Sequence, residues 1–129
     1  MTYLIDTDTL VSLARGNVAI QERMINVGID HCLMSEISLA ELYVGVYKGA
    51  SKDSFVQFLE KRFKVLPITP ALRTYAQIRA QLELQGRRLE DSDLFIAATA
   101  LVNGYTLVSH NTRHFSRIPG LLLEDWLEA

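Results

Sequence analysis

Acidic residues stand directly ahead of the most apolar helix that the sequence predicts, in residues 90–100. We predict that Asp91 or Ser92 caps this helix, since a short side-chain oxygen accepts free N–H groups of the first turn. Asp93 then lies in that turn, and no charged residue follows it before Arg113. A helix that is apolar all round is a buried helix, so Asp93 is predicted where a central helix emerges from the core. Taken alone, an acid at this place also has a simpler explanation, because it favours the helix dipole.

The N-terminal residues show a similar combination of apolar and oxygen-bearing side chains. An apolar run at residues 3–5 is followed by Asp6, Thr7, Asp8 and Thr9, and then by apolar residues at helical spacing. This pattern predicts a strand, a turn rich in oxygen ligands and a helix. Asp6 is therefore expected at the carboxyl end of a first strand, where open α/β sheets bind ligands. In the alternative interpretation, Thr7 or Asp8 caps the helix and Asp6 is incidental.

A third acid, Glu41, lies in the middle of a helix predicted over residues 36–47, with Ser35 as its N-cap. Apolar residues cover most of the helix circumference and leave a narrow polar stripe that contains Ser38 and Glu41. Glu41 is thus either part of a surface stripe or the wall of a pocket. Ser38 and Glu41 also match a capping box, in which the Glu folds back onto the backbone. A helix this apolar on more than one side indicates a subunit contact.

Polar residues again follow a strand near the C-terminus. The strand is predicted at residues 105–108, and the segment 109–115 after it contains His110, Asn111 and His114. The two histidines have i, i+4 spacing, but the segment is short for a helix. A solvated or RNA-facing role for them is therefore favoured over zinc binding.

Strands alternate with helices along the chain, which predicts an α/β fold with a largely parallel sheet and helices on both faces. Further strands are expected at residues 32–34 and 65–68, the second near a sheet edge because Pro67 has no N–H for the ladder. A last strand is expected at residues 121–123, followed by a tail whose Trp126 packs back on the body. Amphipathic helices are expected at residues 17–27, 52–63 and 70–84.

Composition narrows the possible classes of function. The 129 residues are 49% hydrophobic and 22% charged, which fits one globular domain over residues 1–129. A net charge of -2 argues against a strongly basic nucleic-acid binder, so any such contact has to use a local patch. Cys32 is the only cysteine, which excludes an intramolecular disulfide and a cysteine-built zinc site. We expect a cytoplasmic protein, because no apolar run suits a membrane span and Asp6 and Asp8 interrupt any signal peptide.

The chemistry that these residues suggest is metal-assisted hydrolysis. In a parallel sheet, Asp6, the loop of Asn111 and the start of the Asp93 helix converge on one edge, and Glu41 joins them if its helix leaves the neighbouring strand. Carboxylate and amide oxygens favour Mg²⁺ or Mn²⁺. Like charges brought together raise one another's pKa and predict a neutralising cation. Such a site suits hydrolysis of a phosphodiester, in which a metal ion activates water.

Two arginines, Arg87 and Arg88, come just ahead of this acidic site. Arginines in a turn are usually only solvated. Beside an acidic metal pocket they would instead hold phosphates, because guanidinium groups match phosphate oxygens.

Four segments, at residues 4–10, 35–42, 93–98 and 107–115, resemble the motifs of a PIN-domain ribonuclease of the VapC toxin type. The resemblance covers essentially the whole chain and depends on the order and separation of the four. It implies a three-layer α/β/α sandwich with a mostly parallel central sheet, and an endoribonuclease that depends on Mg²⁺ or Mn²⁺. It also implies a homodimer, a small VapB-type antitoxin that blocks the site, and structured RNA, often transfer RNA, as the target.

The resemblance also assigns roles to individual residues. The three most regular acids of the family correspond to Asp6, Glu41 and Asp93, which are the expected catalytic and metal-binding residues. The fourth acidic position is Asn111, a catalytic candidate whose amide brings no negative charge, so one firm metal site is expected. Residues expected to support the metal ligands are Thr7, Asp8, Asp91 and Thr112. Residues expected to contact RNA are Arg87, Arg88, Arg113 and His114.

Two other functions stay open at this point. One is a non-catalytic α/β module that binds a protein partner on the apolar helix at residues 37–47, with the acids as helix caps. The other is a hydrolase of small phosphoesters. Against the latter, no lysine follows a strand in the required setting, and the Asp6-x-Asp8 pair is too short a motif to decide.

Overall fold

A five-stranded sheet forms the centre of the fold in the computed structural model, which describes residues 1–127. Its strands are β1 (Tyr3–Ile5), β2 (Cys32–Ser35), β3 (Lys64–Leu66), β4 (Thr106–Val108) and β5 (Leu123–Glu124). Their spatial order is β3-β2-β1-β4-β5, and each neighbouring pair is parallel. The predicted α/β fold with a mostly parallel sheet is confirmed, with β1 as its central strand.

Helices cover both faces of this sheet. They are α1 (Thr7–Ala14), α2 (Val18–Val27), α3 (Glu36–Tyr47), α4 (Asp53–Arg62), α5 (Leu72–Leu84), α6 (Asp91–Asn103) and α7 (Thr112–Phe115). Successive strand residues point to opposite faces, so Leu4 and Leu107 pack with α5 and α6, whereas Ile5 and Val108 pack with α1, α2 and α4. The result is the predicted three-layer α/β/α sandwich. Within residues 1–127, none of the helices has the length and apolarity needed to span a bilayer.

Helix α6 is the buried central helix that the sequence predicts. Its buried residues are Leu94, Ile96, Ala97, Ala98, Thr99 and Ala100. The predicted cap is wrong, because Glu90 occupies the N-cap position with extended backbone and makes no side-chain cap bond. The helix therefore starts one residue earlier than a cap at Asp91 would allow, and both Asp91 and Asp93 lie in its first turn.

Several elements differ from the sequence-based expectation, and three of the differences bear on the sheet edges and the site. Strand β3 stops before Pro67, at the edge of the sheet as expected. Strand β5 begins two residues late, because the Ser109 N–H donates to the Glu124 carbonyl at 3.0 Å and sets the register of this last pair. The segment after β4 does form a helix, the single turn α7, in which the Ser116 N–H donates to the Thr112 carbonyl at 2.8 Å.

The C-terminal tail is part of the core, as predicted. Trp126 is 1% exposed, and its ring centroid lies 5.2 Å from that of Tyr3 in an edge-on arrangement. Its indole N–H donates to Glu124 Oε1 at 3.0 Å. Arg23 of α2 donates to the same carboxylate oxygen at 2.8 Å and lies over the Trp126 ring. The tail is thus fixed to both β1 and α2.

Replacing Ile96 of α6 with Ala is expected to lower the free energy of unfolding by about 2–5 kcal/mol. The Ile96 side chain is fully buried, so its truncation leaves a cavity in the core. Urea denaturation followed by circular dichroism measures the change. Val102→Ala, at a site 43% exposed on the same helix, is the matched control and is expected to shift stability by about 0.5 kcal/mol or less. Equal losses in the two variants would contradict the assignment of α6 as the core helix.

Candidate active site

The candidate site lies where the connections of the sheet change direction. From β1 the chain crosses over to β2 and β3 on one side, and then returns to β4 on the other side of β1. The crevice at the carboxyl ends of two such strands is the place where open α/β sheets bind ligands. Asp6 follows β1 and Ser109 follows β4, and the Asp6 N–H donates to the Val108 carbonyl at 2.8 Å. Polar side chains from both strands therefore meet in this crevice.

Asp6 has two functions in the structure. It is the N-cap of α1, with its Oδ1 accepting the Thr7 N–H at 2.9 Å, so neither Thr7 nor Asp8 is the cap. Its other oxygen, Oδ2, accepts the Ser109 hydroxyl at 2.8 Å. The Ser109 hydroxyl also lies 3.3 Å from Asp8 Oδ2, and the His110 N–H donates to that oxygen at 3.2 Å. The two aspartates of the N-terminal motif are thus held against one loop.

Glu41 lies at the wall of this site, on helix α3. Helix α3 begins after Ser35, whose hydroxyl accepts the Ile37 N–H, so the capping box of Ser38 with Glu41 is wrong. Glu41 Oε1 accepts the Thr7 hydroxyl at 2.7 Å, and that hydroxyl also lies 2.9 Å from Ser38 Oγ. The first turn of α1 therefore joins Glu41 to the residues around Asp6.

Burial raises the pKa of Asp6 to about 7. The negative charge of Asp8 adds to this rise, and that of Asp93 adds less. Hydrogen bonds from Ser109 and from the Thr7 backbone act in the opposite direction, because they stabilise the ionised carboxylate. Asp6 is thus a buried acid among other acids, and both of its hydrogen-bond donors are neutral groups.

Asp93 lies half-buried at the mouth of α6. Burial raises its pKa, and Glu41, Glu90 and Asp8 raise it further. His114 of α7 lowers it, because its Nε2 lies 3.3 Å from Asp93 Oδ2. His114 was expected to face RNA, and the structure places it against a candidate catalytic acid.

The other expected site residues lie in three different settings. Asn111 lies in the same loop, where its N–H donates to Ser109 Oγ at 3.0 Å, and Thr112 is the first residue of α7. Asp91 is directed away from the acids, since its Oδ1 accepts the hydroxyl of Tyr75 at 2.7 Å and pairs with Arg79 at 3.3 Å. The arginines that were expected to contact RNA are all exposed: Arg87, Arg88 and Arg113.

The donor set fits a hard divalent cation in its chemistry and its charge. Asp6, Asp8, Asp93 and Glu41 offer carboxylate oxygens whose mutual repulsion a cation would relieve. Across residues 1–127, no three His, Cys, Asp or Glu side chains are arranged closely enough to hold an ion between them. The carboxylates therefore lie at the same edge of the sheet, but they are too far apart in this structure to bind one ion together. The metal stays a prediction.

Two hydroxyl groups at the site were not predicted from the sequence to be site residues. Ser109 bonds to Asp6, and Ser38 contacts Thr7. Both are fully buried, which is unusual for serine and costs free energy unless the hydroxyl is hydrogen-bonded. Ser109 lies directly after a buried strand and inside the motif at residues 107–115, and these are the sequence signals that point to it.

Comparison with known proteins identifies the family. The family model of the PIN domain matches residues 3–121. The chain belongs to the PIN-domain family. Among curated PIN-domain relatives, it is 31% identical to the tRNA(fMet)-specific endonuclease VapC of Shigella flexneri, over 98% of each chain. It is 32% identical to ribonuclease VapC1 of Rickettsia felis, over 94% of this chain and 93% of the relative.

Solved structures of VapBC complexes have the same fold. The VapBC complex of Salmonella typhimurium bound to DNA matches with a TM-score of 0.89 and 33% identity, over 98% of each chain. VapBC2 of Rickettsia felis, bound to a DNA fragment from its promoter, matches with a TM-score of 0.86 and 30% identity, over 98% of this chain and 99% of the other. The resemblance to VapC-type PIN domains that the four motifs indicated is confirmed.

Asp6→Asn is expected to stabilise the PIN domain increasingly as the pH rises from about 4 to about 7. The folded pKa of Asp6 lies above the unfolded value of 3.8, so the folded state binds more protons in this interval and wild-type stability falls with pH. Asn keeps the oxygen that accepts the Thr7 N–H and carries no charge. Urea denaturation of both proteins from pH 4 to 8, without divalent ions, measures the difference. A difference that stays constant over this range would contradict the raised pKa.

Proposed function

We propose that this PIN-domain protein is an endoribonuclease toxin of the VapC type, which hydrolyses RNA phosphodiester bonds at an acidic Mg²⁺ or Mn²⁺ site. The observation that carries the proposal is the meeting of Asp6, Glu41 and Asp93 at the carboxyl edge of the sheet, from three different elements. Family membership agrees with it, because two of its relatives are named as ribonucleases or tRNA endonucleases of the VapC type.

Asp6 and Asp93 would hold the ion, with Asn111 and Asp8 beside them. The cation would lower the pKa of a water molecule and stabilise the charge that develops on the phosphate. Glu41 orients the attacking water and accepts its proton, a role for which it is suited because it is exposed at the wall of the site. Thr7 holds the Glu41 carboxylate through its hydroxyl, and the Ser109 hydroxyl holds Asp6.

The RNA is proposed to approach over three exposed arginines, Arg87 and Arg88 ahead of α6 and Arg113 in α7. The net charge of -2 leaves RNA binding to such a local patch. Transfer RNA is the target class that we favour, since the Shigella flexneri relative is named as specific for tRNA(fMet). The substrate lies in the cytoplasm, which is where we place the protein.

The proposed partner is a VapB-type antitoxin, because the matching solved structures are VapBC complexes. An exposed apolar groove between α2 and α4 suits such a partner. Ile25 and Phe58 at its rim are 76% and 56% exposed. Leu13 near the C-terminal end of α1 also lines this groove, and Asp6 caps the N-terminal end of the same helix.

We also propose a homodimer that uses α3, on which Val44 and Tyr47 are 51% and 90% exposed.

Purified protein is expected to cut total cellular RNA into discrete fragments with Mg²⁺ or Mn²⁺, and EDTA is expected to stop the cleavage. Asp6→Asn, Glu41→Gln and Asp93→Asn are each expected to lower the rate by more than about 100-fold, because loss of even an indirect metal support costs about 10–100-fold. Gel electrophoresis of the products measures cleavage, and circular dichroism checks the fold.

Glu22→Gln is the matched control, since Glu22 is an exposed acid on α2 outside the site. It is expected to cleave as wild type does. Full activity in Asp93→Asn would rule out the proposed metal site. Intact RNA with every metal, together with no Mg²⁺ binding in calorimetry, would favour the non-catalytic binding module.

Ile25→Asp is expected to weaken binding of the antitoxin by at least about tenfold, which corresponds to about 1.4 kcal/mol, because it places a charge in an apolar contact. Binding is measured by calorimetry with a VapB-type antitoxin that binds the wild-type protein. Leu122→Asp, at a site 53% exposed outside the groove, is the control and is expected to bind normally. Equal affinity of the Ile25→Asp protein and wild type would place the antitoxin elsewhere.

A further inference from the structure

One imidazole connects helix α1, the candidate active-site loop and the C-terminal tail. His110 Nδ1 lies 3.1 Å from Asp125 Oδ1, and His110 Nε2 lies 3.1 Å from Ser12 Oγ. The side chains of His110 and Asp125 are only 19% and 15% exposed. A carboxylate only accepts hydrogen bonds, so Nδ1 carries a proton and donates to Asp125, while Nε2 shares a second hydrogen bond with the Ser12 hydroxyl. Both ring nitrogens are therefore satisfied, and the ring is held in one orientation.

The backbone of the same residue reaches the acids. The His110 N–H donates to Asp8 Oδ2 at 3.2 Å, and the neighbouring Ser109 hydroxyl donates to Asp6 Oδ2 at 2.8 Å. The Ser109 N–H is bonded in turn to the Glu124 carbonyl at 3.0 Å. The donors that hold both aspartates are thus carried by two residues whose positions depend on the C-terminal segment.

That segment is itself firmly placed. Trp126 is buried against Tyr3, and Arg23 pairs with Glu124 at 2.8 Å. Asp125 Oδ1 also accepts the Leu127 N–H at 2.9 Å, which fixes the direction of the carboxylate. Asp125 therefore presents a pre-oriented acceptor to His110.

The hydrogen-bonded arrangement of Ser12, His110 and Asp125 resembles the Ser-His-Asp triad of a serine hydrolase. The position of Ser12, however, argues against nucleophilic catalysis. Ser12 lies near the C-terminal end of α1, and its carbonyl accepts the N–H groups of Arg15 and Asn17. The dipole at this end of a helix is negative and disfavours the oxyanion of an acyl-transfer intermediate. These three residues are therefore better suited to holding the loop that follows β4 in place.

We propose that His110, fixed by Asp125 and Ser12, is a positioning residue that sets the Asp6 and Asp8 carboxylates for catalysis, and that the C-terminal segment 123–127 thereby determines activity. This inference rests on the proposed ribonuclease function. Without the side-chain anchor, the loop that carries the Ser109 hydroxyl and the His110 N–H moves relative to β1. The carboxylates are then held less exactly, whereas the exposed arginines that bind RNA are unchanged.

Cleavage of one defined RNA by the full chain tests the proposal, with His110→Ala and Asp125→Ala as the variants. Both are expected to lower kcat by about 10–100-fold with KM changed less than about twofold. His110→Asn is expected to recover much of the loss, because its amide nitrogen takes the place of Nδ1 and donates to Asp125. His31→Ala is the control and is expected to match wild type, because His31 is exposed and lies directly before β2, at the amino end of that strand.

Hydrogen exchange of the Ser109 and His110 amides, followed by NMR without RNA or metal, gives a readout that does not depend on activity. Both amides are expected to be protected in wild type and His110→Asn, and to exchange at least about tenfold faster in His110→Ala and Asp125→Ala, while the melting temperature of each variant stays within about 4 °C of wild type.

The outcomes separate the two proposals. An inactive wild type would overturn the ribonuclease function, and the exchange rates alone would then decide whether His110 holds the loop. An active wild type with unchanged kcat in His110→Ala would overturn the positioning role. Loss of activity with no recovery in His110→Asn, or a parallel rise in KM, would also overturn it. If His110→Ala does not fold, Asp125→Ala and His110→Asn decide by the same criteria.

Discussion

The constraint on which this structure depends is the mutual repulsion of carboxylates at one edge of the sheet. Asp6, Asp8, Asp93 and Glu41 come from three different elements, and the charge of one raises the pKa of another. Such a gathering costs stability unless neutral donors, helix N-termini or a cation offset it. The fold supplies the first two. The Ser109 hydroxyl, the Thr7 N–H and the first turns of α1 and α6 all face the acids.

The rest of the fold can be understood as the support that keeps these acids in place. Strand β1 is buried on both faces and paired on both edges, so the backbone ahead of Asp6 has little freedom. Helix α6 is packed into the core along most of its length, which fixes Asp93 at its mouth. The acids thus lie on rigid elements, which agrees with a site that needs exact geometry.

Much of the fold and the positions of the main acids follow from local patterns in the sequence. Asp6 is found because it ends an apolar strand, and Asp93 because it opens an apolar helix. The contacts of His110 with Ser12 and Asp125 are not found in this way, since they join residues distant in sequence and depend on the register of β5. The same holds for Asp91, whose position suggests the site but whose carboxylate is held by Tyr75 and Arg79. Local patterns place elements, and only tertiary packing decides which side chains meet.

The burial of Trp126 has a consequence for how unfolding is observed. It is the only tryptophan of the chain, and it lies in the tail, against Tyr3 and beneath Arg23. Its fluorescence therefore reports the environment of the C-terminal segment rather than that of the sheet as a whole. Detachment of the tail changes the emission while the far-ultraviolet signal of the helices persists, so the two signals coincide only if tail and sheet unfold as one cooperative unit.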